Sequence, residues 1–137
     1  MKNILFNSGN HKVLASIALL ILRVSFGLGM ITHGWPKLLN FAGKSGSFAD
    51  PFNIGSKYSL GLVVFAEFFC AILVVLGLGT RFAVVPLIIT MAVVAFIIQA
   101  GNPFDGRELS ILYLTAFTTI LILGAGSYSL DKAISGK

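Results

Sequence analysis

Four runs of apolar residues, at about 13–34, 59–79, 82–100 and 108–126, take up most of this 137-residue chain and leave it few ways to fold. Each is near the roughly 20 residues that an α-helix needs to cross about 30 Å of hydrocarbon. Inside lipid every backbone N–H and C=O must be satisfied within the protein, which makes each run a helix. Composition agrees: 56% of the residues are hydrophobic and only 11% are charged, where a soluble domain carries about 25% charge. So few polar side chains could not cover a water-facing surface. The expectation is an all-α integral membrane protein: one domain over residues 1–137, folded as an antiparallel up-down four-helix bundle.

The connections between the runs fit that expectation. Pro36, in HGWPKL, is expected to end the first helix, with Trp35 suited to the headgroup belt. Residues 40–59 form a long Gly-, Ser- and Asn-rich loop interleaved with aromatics, including Phe41, Phe48, Phe52 and Tyr58. GLGTR at 77–81 reads as a tight turn, GNPFDGR at 101–107 as the next loop, and SYSLDKAISGK as a frayed polar tail. The first run reads as a retained helix and not a cleaved signal sequence, because Arg23 interrupts it and WPKLLN lacks a small-x-small pattern.

Four spans would put both termini on one face. Lys2, Lys12, Arg81, Lys132 and Lys137 fall there, against Lys37, Lys44, Lys57 and Arg107 opposite. That bias of five to four places the termini in the cytoplasm and the protein in the inner (cytoplasmic) membrane. The net charge of +5 is spread over loops and tails. Anionic lipid headgroups account for it, and nucleic acid is not an expected partner. The single cysteine, Cys70, excludes an intramolecular disulfide, a CxxC pair and a zinc site of several thiolates.

Arg23 lies inside the first apolar run, at a cost of about 2.5–3.5 kcal/mol on insertion scales, so it needs compensation. Glu67 is the one acidic residue well inside a run. Counting from Gly34 and from Ser59 as matched helix ends sets the two roughly 16 and 12 Å deep. They are therefore expected to form an ion pair. Arg23, Gly27, Met30 and Gly34 share one stripe, whose glycines permit close helix approach. The pair either fixes which helices meet or floors a ligand cavity.

A second polar group gathers at the same end: His33, Lys37, Gln99, Asp105, Arg107 and Glu108. Thr115 and Thr119 share a helix stripe with Glu108, and Tyr113 is nearby. Arg23, His33, Lys37, Glu67, Glu108 and Tyr113 are the candidate ligand-binding residues, around a cavity open toward the outer face. No intrinsic cofactor or metal is expected. Haem would have only one histidine at this end. Copper could use Met30 and His33 with Met91 or Cys70, although methionines within spans usually serve packing. A quinone fits better, since its carbonyls need donors and its ring and tail need apolar walls, which twelve phenylalanines help supply. His33 could equally cap the first helix or bond a loop carbonyl.

RVSFGLGMITHGWPKL in the first helix, Ala66–Glu67 in the second and the GLGTRFA turn together resemble the DoxX family of small four-helix membrane proteins. The resemblance covers about residues 15–126. It marks Arg23, Gly27, His33, Gly34, Lys37, Glu67, Gly77, Thr80 and Arg81 as positions of the family pattern. It implies quinone-linked or sulfur redox chemistry, since relatives include membrane subunits of thiosulfate:quinone oxidoreductase, parts of oxidative-stress complexes and maturation proteins.

The leading expectation is a membrane subunit of a redox complex that binds quinone or a small sulfur compound. The sequence shows no electron carrier, so its partners would be membrane lipids and either a redox protein or further copies of itself. One alternative is a non-catalytic scaffold or assembly factor working through the 40–59 loop. Another is a small-solute transporter.

Overall fold

A computed structural model describes residues 11–136; Lys2 and Lys137, counted above in the charge bias, lie outside the described residues. The described residues are helical and contain no strand. In chain order they form α1 (Lys12–Leu39), a short α2 (Phe41–Lys44), α3 (Ser56–Leu76), α4 (Thr80–Ile98), α5 (Glu108–Leu123) and α6 (Leu130–Ser135). α1, α3 and α4 are long and apolar enough to cross a membrane, and α5 is a shorter apolar helix of 16 residues.

α1 and α3 pack antiparallel through small residues. A Cβ on Gly34 would lie 2.7 Å from the backbone carbon of Glu67, so here the two helices touch backbone to backbone. Gly27, seven residues earlier and on the same face, lies against Ala71 and Val75. α4 and α5 are antiparallel as well. Ser110 meets Gln99 at one end, and Arg81 meets the Leu121 and Ile122 carbonyls at the other. The bundle thus has a loop end, carrying the 40–55 and 101–107 segments, and a tail end, carrying the 77–79 turn and α6. Met30, Ala71, Val74, Val84, Leu87, Phe117 and Ile120 form the buried centre.

Three details depart from the sequence reading. Pro36 does not stop α1, which runs three residues past it to Leu39. A proline this near the end of a helix forfeits one bond, and the Pro36 carbonyl still accepts from the Asn40 N–H. Both α3 and α4 contain a π-helical turn, at Phe65–Cys70 and Val94–Ile98. Such single turns interrupt the 3.6-residue repeat and recur beside functional sites.

The tail, expected to fray, instead folds back as α6. The Ser129 side chain caps it by accepting from the Lys132 N–H. Its Asp131 carboxylate in turn accepts from the Gly79 and Thr80 N–H groups at 2.7 and 3.0 Å, satisfying two orphan donors at the start of α4. Burial pulls this carboxyl up, but the Thr80 and Gly79 donors and the Arg23 charge outweigh it and hold it below the ordinary carboxylate range.

Candidate functional site

The two intramembrane charges do not meet. Arg23 is completely buried at the tail end, where its guanidinium donates to the carbonyls of Val74 (2.9 Å), Val75 (3.1 Å) and Tyr128 (2.6 Å). Val74 and Val75 lie in the last turn of α3, where free carbonyls and the negative end of the helix dipole suit a cation. Gly77 makes room for it. At φ +69° the residue ends α3 in a left-handed turn, and a Cβ there would sit 2.6 Å from the Arg23 Nη1.

The expected Arg23–Glu67 pair fails on register. Gly34 faces Glu67 and not Ser59, a slip of eight residues, or about 12 Å along the helix. Arg23 is eleven residues from Gly34 and therefore roughly 16 Å from the Glu67 level.

Glu67 is paired instead with Lys37, whose ammonium donates to its carboxylate. Lys37 sits one turn beyond Gly34 on the same face of α1, and helical side chains lean back toward the N-terminus. Its stem therefore carries the charge back to the level where Gly34 touches α3. The Glu67 side chain is 4% exposed and that of Lys37 24%, so the carboxylate is the enclosed partner.

Around this pair lies a cavity of about 200 Å³. α1 contributes Met30, His33 and Lys37, and α3 contributes Glu67. Met91, Val94 and Gln99 come from α4 and its end, and Leu109, Ser110 and Tyr113 from α5. Both π turns border it, through Glu67 and Val94. Tyr113 is held in place by edge contacts with Phe26 and His33 and by stacking on Phe117, with centroids 5.4–5.9 Å apart. Its hydroxyl lies over Gly29, where a Cβ would come within 2.3 Å. The Ser110 hydroxyl donates to the Gln99 side-chain oxygen at 2.9 Å, which leaves the Gln99 amide nitrogen able to donate into the cavity. His33 is exposed, so one edge of the cavity is open.

Of the six candidate ligand residues, the structure brings together His33, Lys37, Glu67 and Tyr113. Arg23 belongs to the tail end. Glu108 is exposed and does not line the cavity. Arg107 turns away to lie over the Phe96 ring at 6.0 Å and donates to the Ala95 carbonyl. Thr115 does not face the bundle either: it is exposed, and its hydroxyl donates to the Ile111 carbonyl one turn back, as Thr119 does to Thr115. Met30, His33 and Met91 of the copper alternative share the cavity lining, whereas Cys70 does not.

Gln99, one of the polar end group in the sequence, and Ser110, which the sequence did not single out, belong to the site, where each orients the other. Thr80 and Arg81, family-pattern positions, act at the tail end, the first held by Asp131 and the second on the carbonyls closing α5.

On the far side of the Lys37–Glu67 pair runs an apolar groove of about 310 Å³. α3 and α4 form it, and the 48–54 segment roofs it. Asp50 braces that segment by accepting from the Ile54 and Gly55 N–H groups and the Ser59 hydroxyl at 2.8–3.0 Å. Desolvation raises the Asp50 carboxyl, but these three donors prevail and hold it below its ordinary range.

The DoxX family model matches residues 18–100 of the chain. A Haemophilus influenzae protein described as "Uncharacterized protein" is 33% identical over 125 residues, covering 83% of this chain and 88% of the relative. No solved structure matches the chain significantly.

Proposed function

The chain belongs to the DoxX family, and from its polar cavity we infer that this membrane protein binds the ring of a quinone or a small sulfur compound beside Lys37 and Glu67, as the membrane subunit of a redox complex. The observation that carries this is the convergence of Lys37, His33, Tyr113 and Gln99 on one cavity within an otherwise apolar bundle. Each can donate a hydrogen bond to a carbonyl or oxyanion, and the hydrophobic surround strengthens those bonds. About 200 Å³ is below the roughly 300–1,000 Å³ of sites for drug-sized ligands, which suits a single ring or a small anion.

Reducing a quinone takes two electrons and two protons. His33, at the exposed edge, is placed to pass protons, while the electrons come from a partner redox protein. On this reading the chain crosses the cytoplasmic membrane four times with its termini inside.

The test is direct. Protein purified in nanodiscs is extracted and analysed for co-purifying quinone by mass spectrometry. Binding of a tail-less benzoquinone is then compared between wild type, His33→Ala and Tyr113→Phe. Wild-type binding weakened at least tenfold in the variants supports the reading. No quinone in the extract and no binding by wild type ends it.

A further inference from the structure

The Lys37–Glu67 pair borders two cavities of opposite character. One is the polar cavity described above. The other is the groove lined by Phe48, Phe52, Ile54, Leu62, Ile89 and Ile98, with little polar surface beyond Lys37, Glu67, Ser59 and Thr90. Thr90 spends its hydroxyl on the Pro86 carbonyl at 2.8 Å, and Ser59 spends its own on Asp50. The walls of the groove thus offer a ligand almost nothing but apolar contact, except at the end where the ion pair lies.

We propose that this groove holds the hydrocarbon chain of a membrane-dissolved amphiphile whose polar head lies at Lys37 and Glu67, so that the ligand of the polar cavity is a long-chain molecule entering sideways from the bilayer. The inference rests on the proposed headgroup site and adds the class of ligand and its route. Three observations support it. The groove opens between α3 and α4, through the exposed side chains of Leu62 and Ile89, and so faces the region that lipid chains occupy. At about 310 Å³ it reaches the size of ordinary ligand sites, which the polar cavity alone does not. Lys37, Glu67 and Val94 belong to both linings, which makes the two cavities neighbours across a single layer of side chains. A free small anion would use only the polar cavity and leave the groove unexplained.

Burying the CH₂ groups of a chain is favourable against water, but a chain already dissolved in the bilayer has left water. From lipid the gain is a matter of fit between the chain and the groove walls. The 48–54 roof supplies that fit, since Asp50 holds it closed over the groove from both its N–H donors and Ser59.

The experiment uses the full chain in nanodiscs and a matched pair of benzoquinones, one with a decyl chain and one with a methyl group in its place. Affinities are expressed per membrane-dissolved quinone so that partitioning cancels. The decyl compound is expected to bind wild type at least tenfold more tightly. Leu62→Trp and Ile89→Trp, which enlarge exposed side chains and disturb no core contact, should erase that difference and leave methyl-quinone binding unchanged. A diazirine at the chain terminus should label residues within 48–62 or 89–98.

Equal affinity of the two quinones for wild type, or labelling confined to other surfaces, overturns the inference and leaves the headgroup site standing. Failure of the headgroup site looks different: neither quinone binds. In that case a diazirine fatty acid decides, because labelling of the groove upholds a chain-binding site and its absence refutes it.

Discussion

Replacing Arg23 with methionine keeps a long apolar stem and removes only the guanidinium. Three carbonyls then lose a donor. Val74 retains another, the Gly77 N–H at 3.1 Å, so Val75 and Tyr128 are the two left stranded. A buried polar group without a partner costs about 1–3 kcal/mol; with Val75 half-buried and Tyr128 exposed, the low end applies to each and gives about 2 kcal/mol for the two. Relief from holding a desolvated charge works in the opposite direction. The expected loss is therefore about 1–2 kcal/mol, read from reversible SDS unfolding followed by circular dichroism.

The same assay tests who the partners are. A double-mutant cycle of Arg23→Met with Glu67→Gln should be additive within about 0.5 kcal/mol, because the sites lie roughly 16 Å apart along α1. A cycle with Asp131→Asn should show coupling of about 0.5–3 kcal/mol, since both side chains fasten the tail to the α3–α4 turn. A loss below about 1 kcal/mol for Arg23→Met would refute the reasoning. So would coupling to Glu67 with none to Asp131.

Three further outcomes are expected. Gly34→Ala forces a Cβ to within 2.7–2.8 Å of the Glu67 and Phe68 backbone and should cost about 1–3 kcal/mol by overpacking, whereas Gly61→Ala, with nothing within 4 Å, should be neutral or mildly stabilising in the same unfolding assay. Lys37→Met strands the more enclosed carboxylate and should cost more stability than Glu67→Gln, which leaves an ammonium able to reach water; Lys37→Met combined with Glu67→Gln should recover most of the loss. Asp50 and Asp131 both have carboxyls held below the ordinary value, so their stabilisation is present above the unfolded value of about 3.9 and is lost as pH falls through the lower folded values; hydrogen-exchange protection in 48–59 and 128–135, taken relative to the intrinsic exchange rate at each pH, should fall below about pH 4 and stay constant between pH 5 and 8.

What the sequence made legible was what periodicity and solvent physics control. Three apolar runs became long helices and the fourth a shorter one, GLGTR became a tight turn, and Gly27 and Gly34 did turn a close-packing face toward the second long helix. Register was not legible, because it depended on where helices end. Taking Pro36 as a stop and Ser59 as a start misplaced the helices by a few residues each and the contact by eight. That slip was enough to exchange Lys37 for Arg23 as the partner of Glu67. The π turns left no mark either, since one extra residue in a turn hardly alters an apolar run. α6 is six residues long, too short for a periodic signal, and what holds it is tertiary: Asp131 on the α4 N-terminus and Tyr128 on Arg23. The serine three residues before Lys132 was its one local sign.

The corrected pairing separates two duties that a single ion pair would have combined. Arg23 is fully enclosed, bonds to backbone at the end of α3 and to the chain leading into α6, and borders neither the polar cavity nor the groove. Its charge closes the tail end of the bundle, where helix-terminal carbonyls enclosed by the protein need donors. Lys37 and Glu67 border open volume on two sides, and the lysine keeps about a quarter of its side-chain surface accessible. A pair needed only for fastening gains nothing from such exposure, because a bordering cavity forfeits packing contacts around it. The exposed pair is therefore where a ligand can exchange hydrogen bonds with the protein, and the π turn that carries Glu67 is a local departure from helix geometry at that same place.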